Sequence, residues 1–165
     1  SIKAKKGRNV VMIWAGHPSA SVVILEKFHK KGADLTAFDT ESNFSALSVN
    51  TMFRGNFNVF KYLVDNKADV NWVDMHGRTP LIYAVLNRQV KKIAYLIEKG
   101  AKVNKSRYKG LTPLMLASQQ GNYLVAEMLV SSGAKTELRD KKGKTALDHA
   151  KERGHKTIVT YLDKF

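Results

Sequence analysis

The side chains with the widest chemical reach in this sequence are five histidines, His17, His29, His76, His149 and His155. None stands in a His-Glu-x-x-His or His-x-His spacing, and no cysteine is present to join them. A zinc-finger site, a disulfide and a thiolate nucleophile are thereby excluded. His76 sits beside Gly77 on what reads as a turn tip, where it offers contact surface. His155 follows Gly154 and reads as structural. Ser19, Ser21 and Ser118 lack the Gly-x-Ser-x-Gly setting that exposes a hydrolase nucleophile. Gly7, Gly16 and Gly32 have neither the spacing nor the following Lys-Ser/Thr of a phosphate loop. Asp148 and Glu152 fall four apart, on one face of a helix, but Lys144, Lys151 and Lys156 stand close by, so they read as ion-pair partners rather than as an acid and a base. No catalytic residue, metal ligand set or cofactor is expected, and therefore no enzyme activity.

The charge is the other chemical asset: 28 Lys and Arg against 14 Asp and Glu, a formal +14. Such an excess draws acidic protein surfaces, nucleic acid or anionic lipid, and is silent about fold. It is spread along the chain, with only residues 41–73 in balance, which suits solubility or a long shallow field better than one phosphate pocket. Lys91, Lys92, Lys151 and Lys156 read as solubilising surface charge. Helix-turn-helix, zinc and RNA-recognition signatures are missing, so binding of nucleic acid or another polyanion is the alternative reading. The longest apolar run, Val10 to Gly16, is too short to cross a bilayer and has no cleavage context. No membrane insertion is expected. The chain opens on Ser1 without Met, which suggests an excised domain of a larger intracellular protein, in cytoplasm or nucleus, and a monomer.

What positions these groups is a repeat. Gly77, Gly110 and Gly143 are 33 residues apart, as are Thr79, Thr112 and Thr145, and again Leu96, Leu129 and Leu162. A fixed period of this length marks one supersecondary unit stacked on itself. The Gly suits a tight turn, Thr two residues later a helix N-cap, and Pro80 or Pro113 the first helical position. Ala84, Ala117 and Ala150 are small where helices must come close. Val90, Ile93 and Leu96 recur at helical spacing and predict a packed face. Copies are expected at about 9–38, 39–73, 74–106, 107–139 and 140–165, together one domain over 1–165. The first two are degenerate and the last is truncated. Ala33 to Ala68 spans 35 residues, and the two extra ones are assigned to Thr40–Asn50. The fold class is all-α: a solenoid of about five helix-turn-helix units with β-turn tips.

Gly-x-Thr-Pro-Leu-x-x-Ala, followed about twenty residues on by Gly-Ala-x-x-Asn, resembles the ankyrin repeat, strongly over 74–165 and less so upstream. The family's His after Thr-Pro-Leu is Ile82, Met115 and Asp148 here, so its usual bond to Thr is expected to be missing. Arg107 replaces the turn Asp and Arg88 the inter-helix Gly. These departures bear on local turn geometry only. The resemblance implies that a partner protein binds the concave face of turn tips and first helices. Carried onto this chain, the contact residues are Trp72, Met75, His76, Arg78, Arg107, Tyr108, Lys109, Leu111, Lys141, Lys142 and Lys144 on the tips, with Leu86, Gln119 and Gln120 on the helices. Trp72, Met75, Tyr108 and Leu111 would anchor, and the Lys and Arg would steer an acidic or amphipathic segment.

Overall fold

A computed structural model describes residues 10–17 and 19–165. The basic lead-in 1–8 with its turn at Gly7, and Pro18, lie outside the described residues. The described chain forms ten α-helices in five pairs. They are α1 (Val10–Ala15) with α2 (Val22–Lys30), α3 (Ala46–Met52) with α4 (Phe57–Asp65), α5 (Pro80–Leu86) with α6 (Val90–Glu98), α7 (Pro113–Gln119) with α8 (Tyr123–Ser131), and α9 (Ala146–Glu152) with α10 (Lys156–Leu162). Among the described residues there is no β-strand, only an isolated antiparallel bridge between Phe38 and Ser45.

The first helices of the last four pairs start for the same reason. A hydroxyl caps each: Ser48, Ile82, Met115 and Asp148 donate their backbone N–H to Ser45, Thr79, Thr112 and Thr145, at 3.2–3.3 Å. Such a cap contributes about 1 kcal/mol. In the last copy the missing His is replaced in function. Asp148 Oδ2 accepts from both the backbone N–H and the hydroxyl of Thr145, at 2.8 and 2.9 Å.

Odd helices pack on one another in one row (α1, α3, α5, α7, α9) and even helices in a second row. One apolar cluster runs through both, from Val11 to Leu162. Ala84, Ala117 and Ala150 are wholly buried where successive first helices meet. The Asn of Gly-Ala-x-x-Asn stitches one copy to the next. Asn71 donates its Nδ2 to Gly100 O and its Oδ1 accepts from Lys102 N, and Asn104 repeats both bonds with Gly133 and Lys135.

Two local features differ from expectation. Of the two extra residues in the second copy, one widens the tip: Asn43 N donates to Asp39 O, where Gly77 N donates to Asp74 O one residue sooner. The other is not in Thr40–Asn50 but between α3 and α4, where Gly55 and Asn56 replace the single residue Gln89. At the inter-helix turn, Arg54 and Arg88 take φ of +56°, close to the +69° of Gly121 and Gly154. The turn geometry therefore survives loss of the glycine, with a strain of about 1–2 kcal/mol at each arginine.

Candidate functional site

The tips begin as short two-bond turns. Asp74 and Asp140 fold them by accepting two backbone N–H groups each: His76 and Arg78 on Asp74, Lys142 and Lys144 on Asp140, at 2.7–3.0 Å. Arg107 cannot accept, and the middle tip tightens into a 3-10 turn at Tyr108–Gly110 with Lys109 at φ +72°. Its backbone frame is nevertheless the same, since Arg107 N donates to Leu111 O as Asp74 N does to Arg78 O. Each tip is bonded to its neighbour. Met75 N donates to Ser42 O, Tyr108 N to His76 O and Lys141 N to Lys109 O, at 3.0–3.3 Å. The row of tips is thus one hydrogen-bonded edge rather than a set of independent loops.

Met75 (63% exposed) and Tyr108 (68%) stand out from this edge. His76, Lys109, Lys141 and Lys142 are also exposed. Lys141 Nζ lies 5.0 Å from the centre of the Tyr108 ring, a cation–π contact across two copies. Lys144 is paired with Glu152. Two expected anchors fail as free contact groups. Leu111 is buried, because its side chain turns into the core beneath its tip. Trp72 is half-buried and already engaged: its ring N–H donates to Asn43 O at 2.6 Å and its ring lies 4.7 Å from that of Phe38. It braces the second tip against the third. Phe38, 45% exposed, is the ring left facing solvent, and nothing in the repeat pattern marks it.

Behind the third and fifth tips the first helix carries a matching group. Tyr83 donates its hydroxyl to Asp74 Oδ2 at 2.5 Å, and burial, reinforced by that bond, raises its pKa. His149 occupies the same place 66 residues on. Gln119 Nε2 approaches its Nδ1 and Asp140 Oδ2 its Nε2, each at 3.0 Å, so the ring N–H faces the aspartate. Burial works to raise Asp140, but the backbone N–H groups of Lys144 and Lys142 and the His149 ring hold it below the usual carboxylate range. In the copy between, both members change together, to Arg107 and Leu116. Arg107 has a buried Nε with no hydrogen-bond partner, and burial followed by the neighbouring Arg78 lowers its pKa.

Two hollows open on the first-helix row. One, of about 600 Å³, lies between Leu86, Arg88, Arg107, Gln119, Gln120 and Arg153. The other, of about 240 Å³, is apolar and lined by Met12, Ile13, Phe44, Val49, Met52 and Phe53. Val49, Met52 and Phe53 are the second copy's equivalents of Leu116, Gln119 and Gln120, so the two hollows share one face. Gln120 closes the first by donating Nε2 to Leu86 O at 3.0 Å, and Arg88 by donating to Gln120 O at 2.8 Å.

Lys92 does not belong to the solvated surface. It is 4% exposed, and its Nζ donates to Asn50 Oδ1 at 2.7 Å, Gly55 O at 2.8 Å and Asn50 O at 3.3 Å. Burial lowers its pKa to about 8. The other copies put Val59, Val125 and Ile158 at this place, and alanine in place of Asn50. That break in register was the available signal. Among the described residues no three His, Asp or Glu come together as a metal site, and no helix is long and apolar enough to cross a membrane.

A family model described as ankyrin repeats (3 copies) matches residues 11–107 and again 102–164. The putative ankyrin repeat protein R886 of Acanthamoeba polyphaga mimivirus is 40% identical over 50 residues. That match covers 30% of this chain and 35% of the viral protein, so the chain spans well under two thirds of that relative.

Proposed function

This chain belongs to the ankyrin-repeat family, and we propose that it holds an acidic or amphipathic segment of another protein against its tips and first helices, the concave side of the stack. Ankyrin repeats generally mediate protein–protein interaction, and the family is typically not catalytic. The observation that carries the reading is the bonded edge of tips, which presents Met75 and Tyr108 beside exposed Lys109, Lys141 and Lys142. Exposed apolar side chains on a pre-ordered frame lose little freedom on binding, and cations around them speed encounter with an acidic partner. Within a larger protein such a surface would recruit substrates or partners for a neighbouring domain.

The test is affinity capture from lysate with and without nuclease. It compares the wild-type chain with Met75→Ala/Tyr108→Ala and with Lys141→Glu/Lys142→Glu. A protein that survives nuclease and is lost with either variant supports the reading. Capture abolished by nuclease transfers the charge to polyanion binding. Proteins retained equally by all three chains show that the tips are not the contact.

A further inference from the structure

The larger hollow has an unusual inventory. Three arginines, Arg88, Arg107 and Arg153, line it together with His155, and its lining contains no carboxylate. Among the described residues neither Arg107 nor Arg153 is in an ion pair with Asp or Glu. Two buried polar atoms there have no partner: Arg107 Nε, a donor, and Gln120 Oε1, an acceptor. Buried unpaired groups of this kind cost free energy that a ligand recovers on binding. Arg107 stands where both neighbouring copies place an aspartate, and Leu116 where they place the aspartate's partner. The substitution pair removes the internal anion and leaves its place to an external one.

We infer that this hollow is an oxyanion pocket that seats the side-chain carboxylate of one Asp or Glu on an extended partner segment. The inference rests on the reading of the first-helix face as a peptide groove. A guanidinium binds a carboxylate through paired N–H donors, a geometry that lysine does not offer. Gln120 Oε1 calls for a donor beside the anion, which a bare carboxylate or phosphate does not bring. A peptide presents a backbone N–H beside its acid and answers both unpaired atoms. The apolar hollow at Met52 and Phe53 then takes a hydrophobic side chain of the same segment. The two hollows are about two helix spacings apart, roughly 16–20 Å. At about 3.3 Å per extended residue, the acid and the apolar side chain stand about five or six residues apart.

The probe is a phage-displayed library of random twelve-residue peptides, selected in parallel on the 165-residue chain, on Arg107→Leu and on Arg153→Gln. The wild type is expected to enrich peptides with Asp or Glu about five or six positions from a large apolar residue. Arg107→Leu should keep the apolar preference and lose the acidic one. A resynthesised wild-type peptide should bind Arg107→Leu about ten- to hundredfold more weakly. Arg153 is exposed, so its Gln variant tests the pocket without any question of folding. Unchanged acid preference on both variants overturns the pocket and leaves the groove standing. A peptide with phosphoserine in place of its acid that binds more tightly overturns the choice of carboxylate. No enrichment on the wild type overturns the groove reading itself.

Discussion

Asn50 and Lys92 form a polar plug in a largely apolar core, with Lys92 Nζ 5.3 Å from the centre of the buried Phe60 ring, and returning both to the residues of the other copies tests it. Lys92→Val leaves two acceptors without donors, Asn50 Oδ1 and Gly55 O, because Asn50 O still accepts from Gly55 N at 2.7 Å. Each orphaned acceptor costs about 1–3 kcal/mol. Against this, the variant relieves burial of an ammonium. A fall in pKa from 10.5 to about 8 corresponds to a burial cost on the order of 3 kcal/mol at neutral pH. The terms nearly cancel, so Lys92→Val should shift stability by no more than about 1–2 kcal/mol. Asn50→Ala is different. It removes the bond from Nδ2 to Ala15 O and leaves the ammonium with Gly55 O and Asn50 O alone. It should cost about 3–5 kcal/mol, the usual result of stripping one partner from a buried charge. In the Asn50→Ala background, Lys92→Val should then stabilise by at least about 2 kcal/mol. Urea unfolding followed by far-UV circular dichroism and by tryptophan fluorescence, which reports on Trp14 and Trp72, measures the full cycle. The pH dependence gives an independent reading. Between about pH 8 and 10.5 the unfolded chain holds the proton and the folded one does not, so wild-type stability should rise with pH across that window. The difference between wild type and Lys92→Val isolates this rise from other titrations. An additive cycle, or a difference that stays flat from pH 7 to 10, would refute the buried-ammonium account.

Three further outcomes are expected. Gly121→Ala should destabilise by about 2–4 kcal/mol, since φ is +69° and the new Cβ would lie 2.7 Å from the His155 ring; a melting curve like that of the wild type would contradict it. Arg54→Gly should stabilise by a few tenths to about 1 kcal/mol by relieving a left-handed arginine, less the added freedom of the unfolded chain, as read by the same urea titration. Asn104→Ala removes two bonds between the third and fourth copies and should cost about 1–2 kcal/mol. Hydrogen exchange should show α7 to α10 losing protection first, and uniform loss across the chain would count against it.

Much of this was legible in the residues because the period is strict where the packing is strict. Thr79, Thr112 and Thr145 are spaced by the helix caps they make, and Ala84, Ala117 and Ala150 by helix contact. The exposed ring of Tyr108 and side chain of Met75 follow from the turn positions alone. The burial of Leu111 and the bracing role of Trp72 did not, because both depend on what the adjoining copy offers across the interface. Lys92 reads as surface by its type alone, and only its register shows the core position. Its neighbours at steps of 33 are Val59, Val125 and Ile158, each essentially inaccessible to solvent. The hollow at Arg107 and Arg153 was invisible for the same reason: it is bounded by residues of three copies.

The plug has a consequence for how this chain can vary over evolutionary time. Stacked arrays ordinarily lengthen or shorten by whole units, since each junction resembles the next. Asn50 and Lys92 are on adjoining units and reach back to Ala15 on the unit before. Deleting the middle unit, or inserting a generic one, would strand an ammonium against aliphatic neighbours. The junctions after Ala101 carry no buried ammonium, so duplication and loss should be more frequent in the carboxyl-terminal half while the amino-terminal three units are inherited as a block.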